Sequence, residues 1–233
     1  TALSMEEVQE DVSQLESQGI VCVFPMRKDT YVWHADSRRA AEQTIALALR
    51  TYEEKYPYRY GMKKAEVQAT HFQKIKPNVF DKILELLIGA GCLKRVNEFL
   101  CTPEYEVRKD KTYDKVSKLL LDTFAKAKYD FARYSEIGLG GADRAAADDI
   151  LNILLEEKQV VKVTEDMYTL RDYMEHAKEV IRAKLSEDPL ITIAQVRDLF
   201  ETSRKSAKPI LEYMDSIKVT KKMGAESERI AYE

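Results

Sequence analysis

The sequence predicts a mainly α-helical chain with small β-hairpins, arranged as an elongated array of four tandem modules of one design. Three observations predict it. Four helix ends look alike: LESQGIVCV from Leu15, LIGAGCLKR from Leu87, LEEKQVVKV from Leu155 and MDSIKVTKK from Met214. They recur at offsets of 72, 68 and 59 residues, a period long enough for one supersecondary unit per repeat. Each is preceded by apolar residues at helical spacing and followed by two short β-prone runs around a polar turn.

In each repeat end an apolar residue is followed, across spacers, by a turn residue: Gly19, Gly91, Gln159 and Lys218. The first hairpin is expected at Ile20–Phe24 and Thr30–Trp33, turning through Arg27–Asp29. The second is Cys92–Val96 and Phe99–Cys101, the third Val160–Val163 and Met167–Leu170. The fourth is Val219–Lys222 and Arg229–Tyr232, turning at Gly224.

The helix before each hairpin is amphipathic. Val79, Phe80, Ile83, Leu84, Leu87 and Ile88 share one face in the second copy. Ala147, Ile150, Leu151, Leu154 and Leu155 do so in the third, and Ala207, Ile210, Leu211, Met214 and Ile217 in the fourth. The first copy opens on Ser4-Met-Glu-Glu7, a capping box. Short helices are expected upstream at Lys63–Thr70, Phe131–Ile137 and Ile193–Phe200, and longer ones at Ser37–Tyr56, Asp110–Lys128 and Arg171–Glu187.

One repeat therefore reads helix, helix, helix, two-stranded wing, which is a winged helix-turn-helix. The expected domains are 1–58 (truncated at its N-terminus, with a linker helix), 59–105, 106–169 and 170–233. Each wing is expected to pair with a segment before the second helix, Leu190–Thr192 in the last copy.

Composition narrows the function classes. With 45% hydrophobic and 33% charged residues the chain is globular rather than disordered. No apolar run reaches the ~20 residues of a membrane helix, and TALSMEEVQE is no signal peptide. Cys22, Cys92 and Cys101 form no CxxC pair and read as buried thiols of a reducing, cytoplasmic setting. His34, His71 and His176 lack metal-ligand spacing. GLGGAD at 138–143 follows a helical stretch, not a strand, so it reads as a loop rather than a phosphate cradle. The aromatic YEEKYPYRYG at 52–61 lies between two units and reads as packing rather than a stacking platform. No nucleophile–base–orienter set is present, so no enzyme activity is expected.

The candidate site is in the last copy. In ITIAQVRDLFETSRKSAKPILEYMD, Thr202 or Ser203 is suited to cap a helix whose first turn carries Arg204 and Lys205. Cations at the positive end of a helix dipole oppose local preference, as functional sites often do. The free amides, the dipole and both side chains converge where a phosphate fits. Pro209 stands inside that helix. Over 202–222 six lysines and arginines face only Glu212 and Asp215, on a chain whose net charge is -3. The competing reading of such a run is a solvated charged face.

VRDLFETSRKSAKPILEYMDSIKVTKKMG resembles the last winged helix of SelB, the bacterial selenocysteine-specific elongation factor family. Its pattern is RDLL, a small residue, TSRK, then A, PLLEYLD and GVTRR-G-D-x-R. The matching positions are Arg197, Asp198, Leu199, Thr202 to Lys205, Ala207, Pro209, Leu211, Glu212, Tyr213, Asp215, Val219, Thr220 and Gly224. YPYRYGM at 56–62 is similar to the family linker PL-x-x-GM. Lys221 and Lys222 stand where the family has arginines, keeping charge but not bidentate geometry.

The resemblance implies a string of four winged helices, the last gripping the SECIS hairpin of selenoprotein mRNA just after an in-frame UGA codon. It implies Ser203, Arg204 and Lys205 on phosphates at the helix start, with Thr202 beside them. Lys208, Lys221, Lys222 and Arg229 would flank the strand, and Arg197 either touches RNA or pairs near Asp198. A-form RNA hides its base edges in a narrow major groove, so the module would hold backbone near a loop and accept an extruded base. The implied partners are the hairpin, the ribosome and, through a GTPase part outside this sequence, selenocysteyl-tRNA. GTP and Mg belong to that part; no cofactor or metal is expected here, and the chain is expected to be monomeric. Two other classes fit the modules: a protein–protein scaffold, since copies one to three lack a TSRK-like start, and a DNA-binding regulator.

Overall fold

In the computed structural model, which describes residues 4–26, 30–223 and 228–232, the four repeat ends close in one way. The amide of Ile20 donates to the carbonyl of Leu15, Cys92 to Leu87, Gln159 to Leu154 and Val219 to Met214. The residue before each of these donors has positive φ: Gly19, Gly91, Lys158 and Lys218. This is the Schellman stop, in which a left-handed residue lets the chain fold back onto orphan carbonyls. The third repeat is therefore aligned on Leu154 and Lys158, one residue before the Leu155 and Gln159 that spacing indicated.

The chain divides into two units, Thr1–Val107 and Arg108–Glu233. In the first, α1 (Met5–Ser17) starts with the expected capping box: Glu7 N–H donates to Ser4 Oγ, and Ser4 N–H to the Glu7 carboxylate. Then follow β1 (Val21–Pro25), β2 (Thr30–His34), α2 (Ala35–Lys55), β3 (Met62–Lys63), α3 (Lys64–His71), α4 (Pro77–Gly89), β4 (Lys94–Val96) and β5 (Phe99–Cys101). Pro at the first helical position of α4 is preorganised for it. That helix buries Val79, Phe80, Ile83, Leu84 and Leu87 against Ile45, Leu49, Val67 and Leu100, each worth about 1.5–3 kcal/mol. Trp33 packs on the same core, 6.1 Å from the Phe24 ring. The 52–61 aromatics close on each other: Tyr52 meets Tyr56 at 4.8 Å, and the Arg59 guanidinium lies 3.9 Å over the Tyr56 ring.

The second unit holds α5 (Lys111–Ala127), β6 (Ala132–Arg133), α6 (Arg144–Glu156), β7 (Val160–Lys162), β8 (Met167–Leu170), α7 (Arg171–Glu187), α8 (Ile193–Leu199), α9 (Arg204–Ser216), β9 (Thr220–Lys222) and β10 (Arg229–Ala231). The helix expected at 131–137 is absent: β6 and one 3₁₀ turn at Tyr134–Glu136 stand there. Asp166 takes the backbone amides a helix would need: its carbonyl accepts the Tyr134 amide at 2.8 Å and its carboxylate the Ser135 amide at 2.9 Å, while Asp148 accepts the Tyr134 hydroxyl at 2.6 Å.

The second strand of a wing is central in three sheets. β5 lies between β3 and β4, and β8 between β6 and β7. Arg229 of β10 exchanges both backbone hydrogen bonds with Ile191, so the last wing gains the expected third segment before α8. β1 and β2 form a two-stranded sheet. The wing turns expected at Arg27–Asp29 and Gly224 lie outside the described residues. In α9, Ala207, Ile210, Leu211 and Met214 are fully buried, whereas Ile217, expected in the core, is 39% exposed beyond the helix end.

Candidate nucleic-acid interface

α9 runs unbroken through Pro209, and Ser203 is its N-cap residue without a side-chain cap bond to its own helix. The capping carboxylate comes instead from Asp130, beyond α5. Its Oδ1 accepts the Thr202 hydroxyl at 2.6 Å and the Ser203 amide at 3.3 Å. The Thr202 hydroxyl also lies 3.0 Å from the Tyr129 carbonyl, and Ser206 Oγ donates to the Asp130 carbonyl at 3.2 Å. The first turn of α9 is thus fixed by the segment that precedes β6.

Arg204 and Lys205 follow on this fixed turn. Both are exposed, and neither has a carboxylate partner among the described residues. Lys208, one turn on, is exposed and sits 3.5 Å from Glu212. Arg197 is exposed and paired with Asp198 at 2.6 Å. Beside the α9 start lies a groove of about 680 Å³, lined by Arg133, Glu136 and Met167 together with Ser203, Lys205 and Ser206.

The wing divides its expected contacts. Cross-strand pairing sets Arg229 opposite Lys222 and Ile230 opposite Lys221. Paired residues share a face and neighbours alternate, so Lys222 and Lys221 leave opposite sides of the hairpin. Lys222 is exposed and Lys221 half-buried. Arg229 is only 4% exposed, and its Nε–H donates to Asp215 at 3.1 Å. Its guanidinium is directed into the module, away from the surface where it was expected to flank a strand.

Asp130, Ser206 and Asp215 are the residues that sequence reasoning missed. Asp215 carried a signal, a carboxylate in the last turn of a helix, where the dipole disfavours it. Asp130 carried none. Among the described residues no His, Cys, Asp or Glu cluster is placed to hold a metal ion, and no helix is long and apolar enough to cross a membrane. Cys22, Cys92 and Cys101 are free thiols, and burial pushes the Cys101 thiol up to about 11.

Known proteins supply the comparison. Residues 183–226 match a family model described as "Elongation factor SelB, winged helix", and residues 47–100 match a second model of the same description. These two segments are thus similar to winged-helix domains of the SelB elongation-factor family. The 183–226 SelB match contains all of α8, α9 and β9. A selenocysteine-specific elongation factor of Desulfomicrobium baculatum is 26% identical over 177 residues, covering 74% of this chain. The match spans 27% of that relative's length. Two solved structures are similar. One is the mRNA-binding domain of elongation factor SelB from E. coli in complex with SECIS RNA (TM-score 0.45, 20% identity, 53% of this chain and 99% of that one). The other is a bacterial selenocysteine-specific elongation factor, EF-Sec (TM-score 0.49, 18% identity, 91% and 32%).

Proposed function

We propose that this chain is the mRNA-hairpin-binding arm of a selenocysteine-specific elongation factor, built as four tandem winged helices at 1–58, 59–105, 106–169 and 170–233. The last module binds a SECIS-type hairpin just after an in-frame UGA codon and tethers the factor there. One coincidence carries the reading: of the two segments that match SelB winged-helix models, 183–226 contains a helix start that presents Arg204 and Lys205 without carboxylate partners among the described residues.

The physics of the site is phosphate recognition. The first turn of α9 combines the positive end of the helix dipole with two exposed cations, Arg204 and Lys205, and Lys205 lines the groove beside it. Asp130 and Ser206 hold the turn, so the cations are displayed on a fixed base. Lys208 and Lys222 extend the positive surface, while Thr202 and Arg229 serve inside the module. Such contacts fix register on RNA backbone; base choice comes from unstacked loop bases. The first three modules then act as a spacer toward the ribosome. In this reading the arm has no enzyme activity and no cofactor of its own. GTP, Mg and selenocysteyl-tRNA belong to the remaining length of such a factor, which works as a cytoplasmic monomer.

The test is binding of a fluorescein-labelled hairpin, taken from directly downstream of UGA in the source organism's selenoprotein mRNA, to the 233-residue chain. Arg204→Ala is expected to weaken binding about tenfold and to lower the slope of log K against log salt by about one phosphate contact. Duplex DNA of equal charge is expected to compete poorly. Unchanged binding by Arg204→Ala across the salt series, or equal competition by the DNA, overturns the reading.

A further inference from the structure

One carboxylate of α9 ties both strands of the wing. Asp215, in the last turn, accepts the Thr220 hydroxyl on one oxygen at 2.6 Å and Arg229 Nε–H on the other at 3.1 Å. Thr220 is fully buried and Arg229 nearly so. The first lies on β9 and the second on β10, so one side chain holds both strands. Arg229 is further fixed through its backbone, which exchanges two 2.9 Å hydrogen bonds with Ile191.

Lys222 sits at the centre of these ties. It is two residues from Thr220 on the same strand, hence on the same face, and it is paired directly opposite Arg229. Both neighbours that set its backbone are bound to Asp215. A carboxylate at this end of a helix opposes the dipole, so its presence needs a compensating role. The ties supply one.

We propose that Asp215 is a positioning residue for RNA recognition: by binding Thr220 and Arg229 it locks the wing onto α9, the same helix that carries Arg204 and Lys205, and so holds Lys222 where it meets an RNA phosphate. This rests on the RNA-binding reading above. It also makes a prediction of unusual sign. Asp215 adds negative charge beside a polyanion site, so charge alone says that removing it strengthens binding. Positioning says that removing it weakens binding.

The experiment measures hairpin binding by the full chain, with the same labelled RNA, across a salt series. Asp215→Asn keeps the shape and removes the charge. It is expected to weaken binding about tenfold and to lower the salt slope by about one contact, although no cation is lost. In a Lys222→Ala background the same substitution is expected to cost less than twofold, and in an Arg204→Ala background its full tenfold. Circular dichroism establishes that each variant is folded. If Asp215→Asn does not fold, Thr220→Val, which keeps the ion pair, takes its place in the same cycle with an expected loss of about threefold. Binding by the folded variant that equals or exceeds the parent's overturns the proposal. So does a loss of the same size with and without Lys222, which marks a general structural defect. If Lys222→Ala and Arg204→Ala themselves leave binding unchanged, the RNA-binding reading fails instead.

Discussion

Thr202 donates its hydroxyl to the carboxylate of Asp130 at 2.6 Å, across 72 residues of chain. The same carboxylate accepts the Ser203 amide, so a side chain from the 3₁₀ turn that follows α5 caps α9. Thr202→Val is expected to lower stability by about 1–2 kcal/mol, the range for losing a helix-capping hydrogen bond. Urea unfolding of the parent and variant measures it. RNA affinity is expected to change less than for Arg204→Ala, because the hydroxyl faces Asp130.

Glu53 makes a comparable tie in the first unit. This buried carboxylate accepts the Thr102 amide at 2.6 Å and the Thr102 hydroxyl at 2.8 Å, joining α2 to the end of β5. Glu53→Gln keeps one acceptor oxygen and loses the charge. The expected cost is about 1.5–3 kcal/mol, read as a lower urea midpoint with an unchanged slope.

Gly61 has φ +141°, and a Cβ there would lie 2.3 Å from the Leu100 carbonyl oxygen. Backbone must move to admit it. Gly61→Ala is expected to destabilise the first unit by more than 2 kcal/mol and to weaken the β3–β5 pairing, seen as faster amide exchange at Met62 and Leu100.

Lys158 occupies the left-handed position that Gly19 and Gly91 fill in the first two repeats. A Cβ there carries a steric cost that glycine lacks. Lys158→Gly is expected to stabilise the chain by about 0.5–1 kcal/mol, after the extra unfolded-state entropy of glycine is counted, and to raise its Tm.

Cys101 is 1% exposed, and burial first, with Glu53 adding to it, raises its thiol from the ordinary 9.0 to about 11. A group whose folded pKa is raised stabilises the fold fully below its unfolded pKa, and that contribution is lost as pH rises through the folded value. Cys101 therefore adds to base-induced unfolding between about pH 9 and 11, and Cys101→Ala is expected to flatten that part of the stability profile. At pH 8 iodoacetamide is expected to label Cys101 last of the three thiols, as peptide mass spectrometry shows.

Most of the helices and hairpins were legible because their signals are local. The 3.6-residue spacing of Val79, Phe80, Ile83, Leu84 and Leu87 marks a buried helix face whatever it packs on. The Ser4 capping box spans one turn, and the Gly19 and Gly91 stops need only glycine's freedom. The 131–137 segment is not a helix because the amides of Tyr134 and Ser135 find acceptors on Asp166, 31 residues beyond Ser135. No pattern inside the segment records that competition.

By itself the sequence determined the repeated modules and the run of cations at the start of α9, since periodicity and charge are properties of neighbouring residues. Only the tertiary structure decided which cations are displayed. It left Arg204 and Lys205 exposed, set Lys221 and Lys222 on opposite faces, and drew Arg229 down onto Asp215. A side chain's charge is written in the chain, but whether water or a carboxylate surrounds that charge depends on partners that folding alone brings within 3 or 4 Å.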